Sequence, residues 1–211
     1  MHREWLIEQC MKRIEPYACE GFVWGMGPDD PLFMLIGEAP GATEIENGKP
    51  FTGRAGAVLD EFLAYLDVRR DEIFITSAVR SRPYKFEVKT AKDGSIIRRK
   101  ANRTPNQKEI LAHAPLLDYQ IKTIQPKLIV TMGNIALQRL LGKHDKISAV
   151  HGTLLHSPIL MLDDMETTTY SYTNRSYDVF PTYHPASIFY NHKLRSEIYE
   201  DLATLRTILH K

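Results

Sequence analysis

Apolar positions along this chain fall into two alternating patterns. Four short, nearly unbroken apolar runs are "PLFMLIG" (31–37), "EIFITSAV" (72–79), "KLIVTMG" (127–133) and "YDVFPTYHP" (177–185). They are too short for buried helices and are punctuated by Gly and Pro, which marks them as strands. Around them apolar residues recur at helical spacing. In "RAGAVLDEFLAYL", Ala55, Val58, Leu59, Phe62 and Leu63 share one face. "EWLIEQCMKRI", "NIALQRLLG" (ending at Gly142) and "NHKLRSEIYEDLATLRTILH" read as further helices. So does "TPNQKEILAHAPLLDYQIKTIQ", with a Thr–Pro start signal and an interruption expected near Pro115. The alternation predicts an α/β fold of three layers, α/β/α, around a central, mostly parallel four-stranded sheet.

In such sheets ligands bind beyond the carboxyl ends of the strands. Three segments leave those ends: "GEAPG", "SAVRSRP" and "HPASIF". The first opens the stretch "GEAPGATEIENGKPFTGRAG" (37–56), a loop of glycines, prolines and glutamates between a strand and a helix. Such a loop lets backbone amides approach a ligand closely.

Composition narrows the setting. With 211 residues, one domain over 1–211 is expected. Apolar residues at 43% and charged residues at 25% exclude wholesale disorder. Only Cys10 and Cys19 occur and "MHREWLIEQC" does not read as a secretory leader, so a reducing cytoplasm and a protein without a membrane partner are expected. The net charge of +1 announces no nucleic-acid partner in bulk. A local signal is present at 84–103, "YKFEVKTAKDGSIIRRKANR", which holds seven Lys/Arg against two acids and a turn signal at Asp93–Gly94. It reads as a β-hairpin or loop inserted into the alternation. Its cations, among them Arg98, Arg99, Lys100 and Arg103, serve either as a solvated excursion or as an arm contacting phosphates.

Taken together, "GEAPGATEIENGKPFTGRAG", "TSAVRSRP…NRTP" and "TYHPASIF", with "FVWGMG" upstream and "PKLIVTMGNIALQRLLG" between, resemble the family 4 uracil-DNA glycosylases in order and in near-family spacing. The resemblance implies the uracil-DNA glycosylase-like fold and hydrolysis of the N-glycosidic bond of uracil, or a related damaged base, after base flipping. It implies DNA, single- or double-stranded, as the partner of a monomer. His184 matches the histidine that donates to the base oxygen becoming anionic. Glu38 and Glu44 match acidic loop positions able to handle water or offset the sugar cation, or else to cap the following turn. Ala39 stands where better-known glycosylases carry a water-activating aspartate. Ala39, Pro40 and Gly41 would approach the base through their backbone, and Phe51 matches the stacking aromatic, its alternative being a core phenylalanine. Ser77 occupies the position of the asparagine that reads the pyrimidine edge. Ile188 matches the wedge residue, or packs its short helix. Arg195 and Lys193 touch phosphates or solvate a helix. A second class of function is a module on the same fold that binds damaged or single-stranded DNA without turnover.

The resemblance also has departures. Most family 4 enzymes carry a four-cysteine iron–sulfur cluster. Here only Cys10 falls on a ligand position, the others holding Arg13, Ser81 and His113. No cluster, and no other metal or cofactor, is therefore expected. A related branch binds uracil-DNA covalently through a histidine in a basic insertion. Asn102 or a neighbour matches that position and the insertion lacks histidine, so covalent chemistry is not expected.

Overall fold

The computed structural model describes residues 3–90, 93, 95–164 and 167–210. In chain order it contains α1 (Arg3–Ile14), β1 (Cys19–Glu20), β2 (Met34–Gly37), α2 (Ala42–Asn47), α3 (Arg54–Leu66), β3 (Phe74–Ser77), β4 (Arg82–Thr90) and β5 (Ile96–Asn102). Then follow α4 (Gln107–Ile124), β6 (Leu128–Met132), α5 (Asn134–Leu141), α6 (Ile147–Val150), β7 (Leu155–Leu162), β8 (Tyr170–Thr182) and α7 (Leu194–Leu209).

The four expected strands are β2, β3, β6 and β8, and they lie adjacent in the order β3-β2-β6-β8, all parallel. The sheet has a fifth strand that the expected count of four omits. β7 pairs antiparallel with β8 at the edge and carries a register shift between Pro158 and Leu160. Its outer half alternates exposed and half-buried residues, so it lacks the continuous apolar signature of a strand covered on both faces. The central strands carry that signature because successive side chains point to opposite faces. Phe33, Leu35, Ile73, Ile75 and Val130 pack with α3 and α7 on one side. Met34, Ile36, Phe74 and Ile129 pack with α4, α5 and α6 on the other. This makes the three layers. α1 closes the outside of α4 through Leu6, Cys10 and Leu116.

α4 continues through Pro115 without a break. Its start is set by Asn106, one residue beyond the Thr–Pro pair: the side chain accepts the N–H groups of Lys108 and Glu109, while Glu109 accepts the Asn106 N–H in return.

The basic segment is a hairpin. β4 and β5 pair antiparallel from Tyr84–Asn102 to Thr90–Ile96, and β1 joins β4 on its other side at the hairpin's root. Ser95 donates its backbone N–H to Asp93 at the tip; Gly94 of the expected turn and Lys92 lie outside the described residues. Among the described residues no helix is long and apolar enough to cross a membrane.

Candidate active site

The carboxyl ends of β2, β3 and β8 converge on a cavity of about 370 Å³. Glu38, Ala39, Pro40, Gly41, Glu44, Phe51, Ser77 and His184 all line it, so the topology gathers every expected catalytic and base-binding residue into one place.

The loop that follows β2 is shaped from within. Glu44 sits in the first turn of α2 with both carboxylate oxygens turned onto backbone N–H groups: Gly41 at 3.0 Å, Thr52 at 3.0 Å and Gly53 at 2.8 Å. It thereby ties the start of α2 to the start of α3. The structure supports the capping alternative for Glu44 over the expected catalytic one, since an anion accepting three amides has little capacity left for water.

Phe51 adopts φ 53, a left-handed conformation rare for a bulky residue. Arg70 holds it there, donating to the carbonyls of Pro50, Phe51 and Gly56. The neighbours must be glycines: a Cβ on Gly56 would lie 1.9 Å from the Phe51 carbonyl oxygen, and one on Gly37 would lie 2.7 Å from the ring. The ring belongs to the core cluster, as the core alternative has it, and it also lines the cavity. It stacks against His184 with centroids 5.6 Å apart and planes at 28°.

His184 follows β8 and caps the 3-10 turn of Pro185–Phe189. Its Nδ1 accepts the backbone N–H of Ala186 at 3.1 Å. Burial lowers its pKa to about 4, against a smaller opposing pull from Glu44. At neutral pH the imidazole is therefore uncharged. With Nδ1 serving as acceptor, the proton resides on Nε2.

Glu38 is the cavity carboxylate that the backbone does not consume. Burial raises its pKa above the ordinary carboxylate value, opposed by a hydrogen bond from Thr104. Ser77, at the end of β3, donates its hydroxyl to the Val79 carbonyl at 2.7 Å.

Two expected DNA contacts are corrected. Ile188 is 5% exposed and packs in the core with α3 and α7, so it cannot wedge into a duplex. Two residues on, Tyr190 lines the cavity and is 90% exposed. Arg103 is a clamp at the hairpin root: it grips Glu109 with both terminal nitrogens (2.8 and 2.5 Å) and donates to the carbonyls of Tyr84, Thr104 and Ala18. Its fork is used up internally. Arg195 is about half exposed and pairs with Glu61 at 3.0 Å. Arg99 pairs with Glu87 at 3.1 Å, Lys100 pairs with Glu20, and Arg98 lies over the Phe86 ring at 3.9 Å.

Asn102, which the sequence placed at or next to the nucleophile position of the related covalent branch, lines the cavity from the last position of β5. Its side-chain oxygen accepts Arg82 Nε at 2.6 Å, and Arg82 is held by Glu20 at 2.7 Å. The Asn102 amide nitrogen therefore faces Gly41 across the cavity rim.

The sequence model of the Uracil DNA glycosylase superfamily matches residues 24–203. The chain is 36% identical over 202 residues to the Type-4 uracil-DNA glycosylase of Pyrobaculum aerophilum, covering 94% of this chain and 88% of that one. It is 33% identical over 189 residues to the Type-4 enzyme of Sulfurisphaera tokodaii, covering 87% and 73%. It is 31% identical over 219 residues to that of Thermotoga maritima, covering 99% and 97%. These similarities correct the expectation of a protein without cofactor, because the Type-4 relatives belong to an iron–sulfur class. The residues described here do not themselves supply the cradle. Among them no group of three or more His, Cys, Asp or Glu is disposed to hold a metal, and at two ligand positions the Ser81 hydroxyl and His113 Nε2 contact each other at 3.3 Å.

Proposed function

From the premise that this chain belongs to the uracil-DNA glycosylase superfamily, we propose that it hydrolyses the N-glycosidic bond of uracil in DNA, with His184 as the donor to the departing base and Glu38 as the group that handles water. The observation that carries this reading is the setting of His184: Nδ1 is engaged by the Ala186 N–H and burial lowers the pKa to about 4, which leaves a neutral N–H on the other side of the ring.

The chemistry follows from charge. The bond between the sugar C1′ and the base N1 breaks with its electron pair leaving on the base, so the base becomes anionic and the sugar cationic. A neutral N–H aimed at the base oxygen stabilises the anion without transferring a proton. Backbone amides of the 39–41 loop would add to it, and Phe51 offers a π-face to the flipped ring. Water then bonds to C1′ and gives up a proton, which the Glu38 carboxylate accepts and passes to solvent, while the released base anion takes a proton from water. Ala39 supplies no carboxylate, which leaves Glu38 for this step. Tyr190, exposed at the rim, replaces Ile188 as the side chain able to fill the gap left in the DNA.

The reading takes residues 1–211 as one domain acting as a monomer. Cys10 and Cys19 are free thiols, which supports a cytoplasmic setting. The test is release of free uracil from a uracil-containing oligonucleotide, followed by alkaline cleavage of the strand at the abasic site. Failure to release base from single- and double-stranded substrates alike would overturn it.

A further inference from the structure

The hairpin's two faces differ, and only one of them is continuous with the cavity. Residues directly opposite in an antiparallel pair share a face. The register therefore places Asn102 with Tyr84, Lys100 with Phe86, Arg98 with Val88 and Ile96 with Thr90 on one side. Asn102 lines the cavity, so this side leads out from it. Phe86 stands one same-face step from Tyr84, ~7 Å along the strand.

This face has an unusual composition for a solvated excursion. Phe86, Val88 and Ile96 are 51%, 66% and 74% exposed. Tyr84 and Phe86 meet edge to face at 5.6 Å. Each ring carries a cation, Lys100, which also pairs with Glu20, at 4.3 Å over Tyr84 and Arg98 at 3.9 Å over Phe86. Among the described residues Arg98 has no carboxylate partner in ion-pair range, so its donors remain for an incoming anion. A ribbon made only to neutralise a duplex backbone has no use for a row of bare apolar side chains. Unpaired nucleotides need both parts, a π-face or guanidinium plane for each base and a cation for each phosphate.

We propose that this face of the hairpin is a binding track for single-stranded DNA, in which a base flanking the extruded nucleotide stacks on Phe86 and Arg98. The proposal rests on the glycosylase reading only in assigning the cavity to the extruded base. The Arg98 guanidinium, which has no carboxylate partner among the described residues, and the continuity of the face with the cavity through Asn102 favour a nucleic-acid strand over a protein partner.

The test is fluorescence anisotropy with dye-labelled, uracil-free oligonucleotides, single-stranded and duplex, so that no turnover is involved. Phe86→Ala should weaken single-strand binding roughly 5–100-fold, the span of one lost base stack. It should change duplex binding less than about 2-fold and leave the salt slope unaltered, because stacking releases no counterions. Phe86→Trp should retain single-strand affinity and Phe86→Leu should not. Phe86 is half exposed, so thermal unfolding of all three variants should match the parent. Equal losses on both DNA forms, no loss in Phe86→Ala, or full affinity in Phe86→Leu would each overturn the proposal, the last by marking an apolar surface of the kind that docks a protein. Single-strand binding that depends on Phe86 in a protein releasing no uracil would uphold the track while rejecting the proposed activity.

Discussion

Glu44 Oε1 accepts the backbone N–H of Gly53 at 2.8 Å, across nine residues of chain, and the same oxygen takes the N–H of Thr52 at 3.0 Å. The bond fixes the loop that carries Phe51 between two helix starts. Glu44→Ala should leave these amides and that of Gly41 unsatisfied and cost about 2–4 kcal/mol of stability by urea unfolding. Glu38→Ala, which removes no backbone acceptor, should cost less than about 1 kcal/mol while abolishing most base release. Equal destabilisation by the two variants would remove the distinction between staple and catalyst.

His184→Ala should slow single-turnover uracil release by roughly 10²–10³-fold, the usual cost of one lost donor to a developing oxyanion. DNA affinity should hardly move, because phosphate contacts dominate it. A variant that keeps near-parental rates would reject His184 as the donor.

The pH profile should belong to Glu38. In the proposed mechanism its ionised form accepts the water proton, and burial holds its pKa above the ordinary carboxylate value. Activity should therefore be flat at neutral pH and fall with unit slope as pH drops through that raised pKa. His184, lowered to about 4, is neutral through the region of its ordinary value and adds no inflection there. Single-turnover rates between about pH 4.5 and 9 would check this. An acid limb unchanged in Glu38→Gln would assign the titration elsewhere.

Much of the fold was legible because Met34–Gly37, Phe74–Ser77 and Leu128–Met132 are buried on both faces and so read as continuous apolar runs. Strand β7 was not, since an antiparallel edge strand holding Pro158 is half solvated. Within the site, "HPASIF" and the glutamate loop are local in sequence and could be read directly. What each side chain does there depends on distant partners. Nothing near Glu44 says that Gly53 will consume it, and nothing near Asn102 says that Arg82, twenty residues away, will turn its amide toward Gly41. Ile188 and Tyr190 differ by two places in a tight turn, and the turn's phase against α3 and α7 decides which is buried.

That phase gives a paired prediction. Ile188→Ala should destabilise the protein by about 2–5 kcal/mol, as truncation of a packed core residue does. Tyr190→Ala should leave stability unchanged within about 0.5 kcal/mol and slow uracil release from duplex more than from single-stranded DNA, where no stack has to be wedged apart. If Tyr190→Ala slows both substrates equally, the tyrosine acts on the base or sugar rather than on the duplex gap.

If the cavity takes the extruded base as proposed, Ser77, which lines it, helps to select that base. From its residue type alone the hydroxyl would be a free rotor offering either donor or acceptor. Its bond to the Val79 carbonyl at 2.7 Å removes that freedom, since the one hydroxyl proton is committed and only lone pairs remain for a ligand. An acceptor suits the N3–H of uracil and opposes the bare N3 of cytosine. It equally suits the N1–H of hypoxanthine, because deamination turns a ring acceptor into a donor in both cases. What Ser77 cannot do is donate to O4 of uracil, as an asparagine amide could. Wild-type protein should therefore reject cytosine, release uracil slowly, and discriminate weakly among deaminated bases. Ser77→Asn should restore a donor and raise uracil release about 5–10-fold, the worth of one added hydrogen bond. Single-turnover release from matched oligonucleotides carrying uracil, hypoxanthine or xanthine, for both proteins, would measure this. Fast, uracil-exclusive excision by the wild type, lost in Ser77→Asn, would falsify the account and make the tethered serine a dedicated uracil reader.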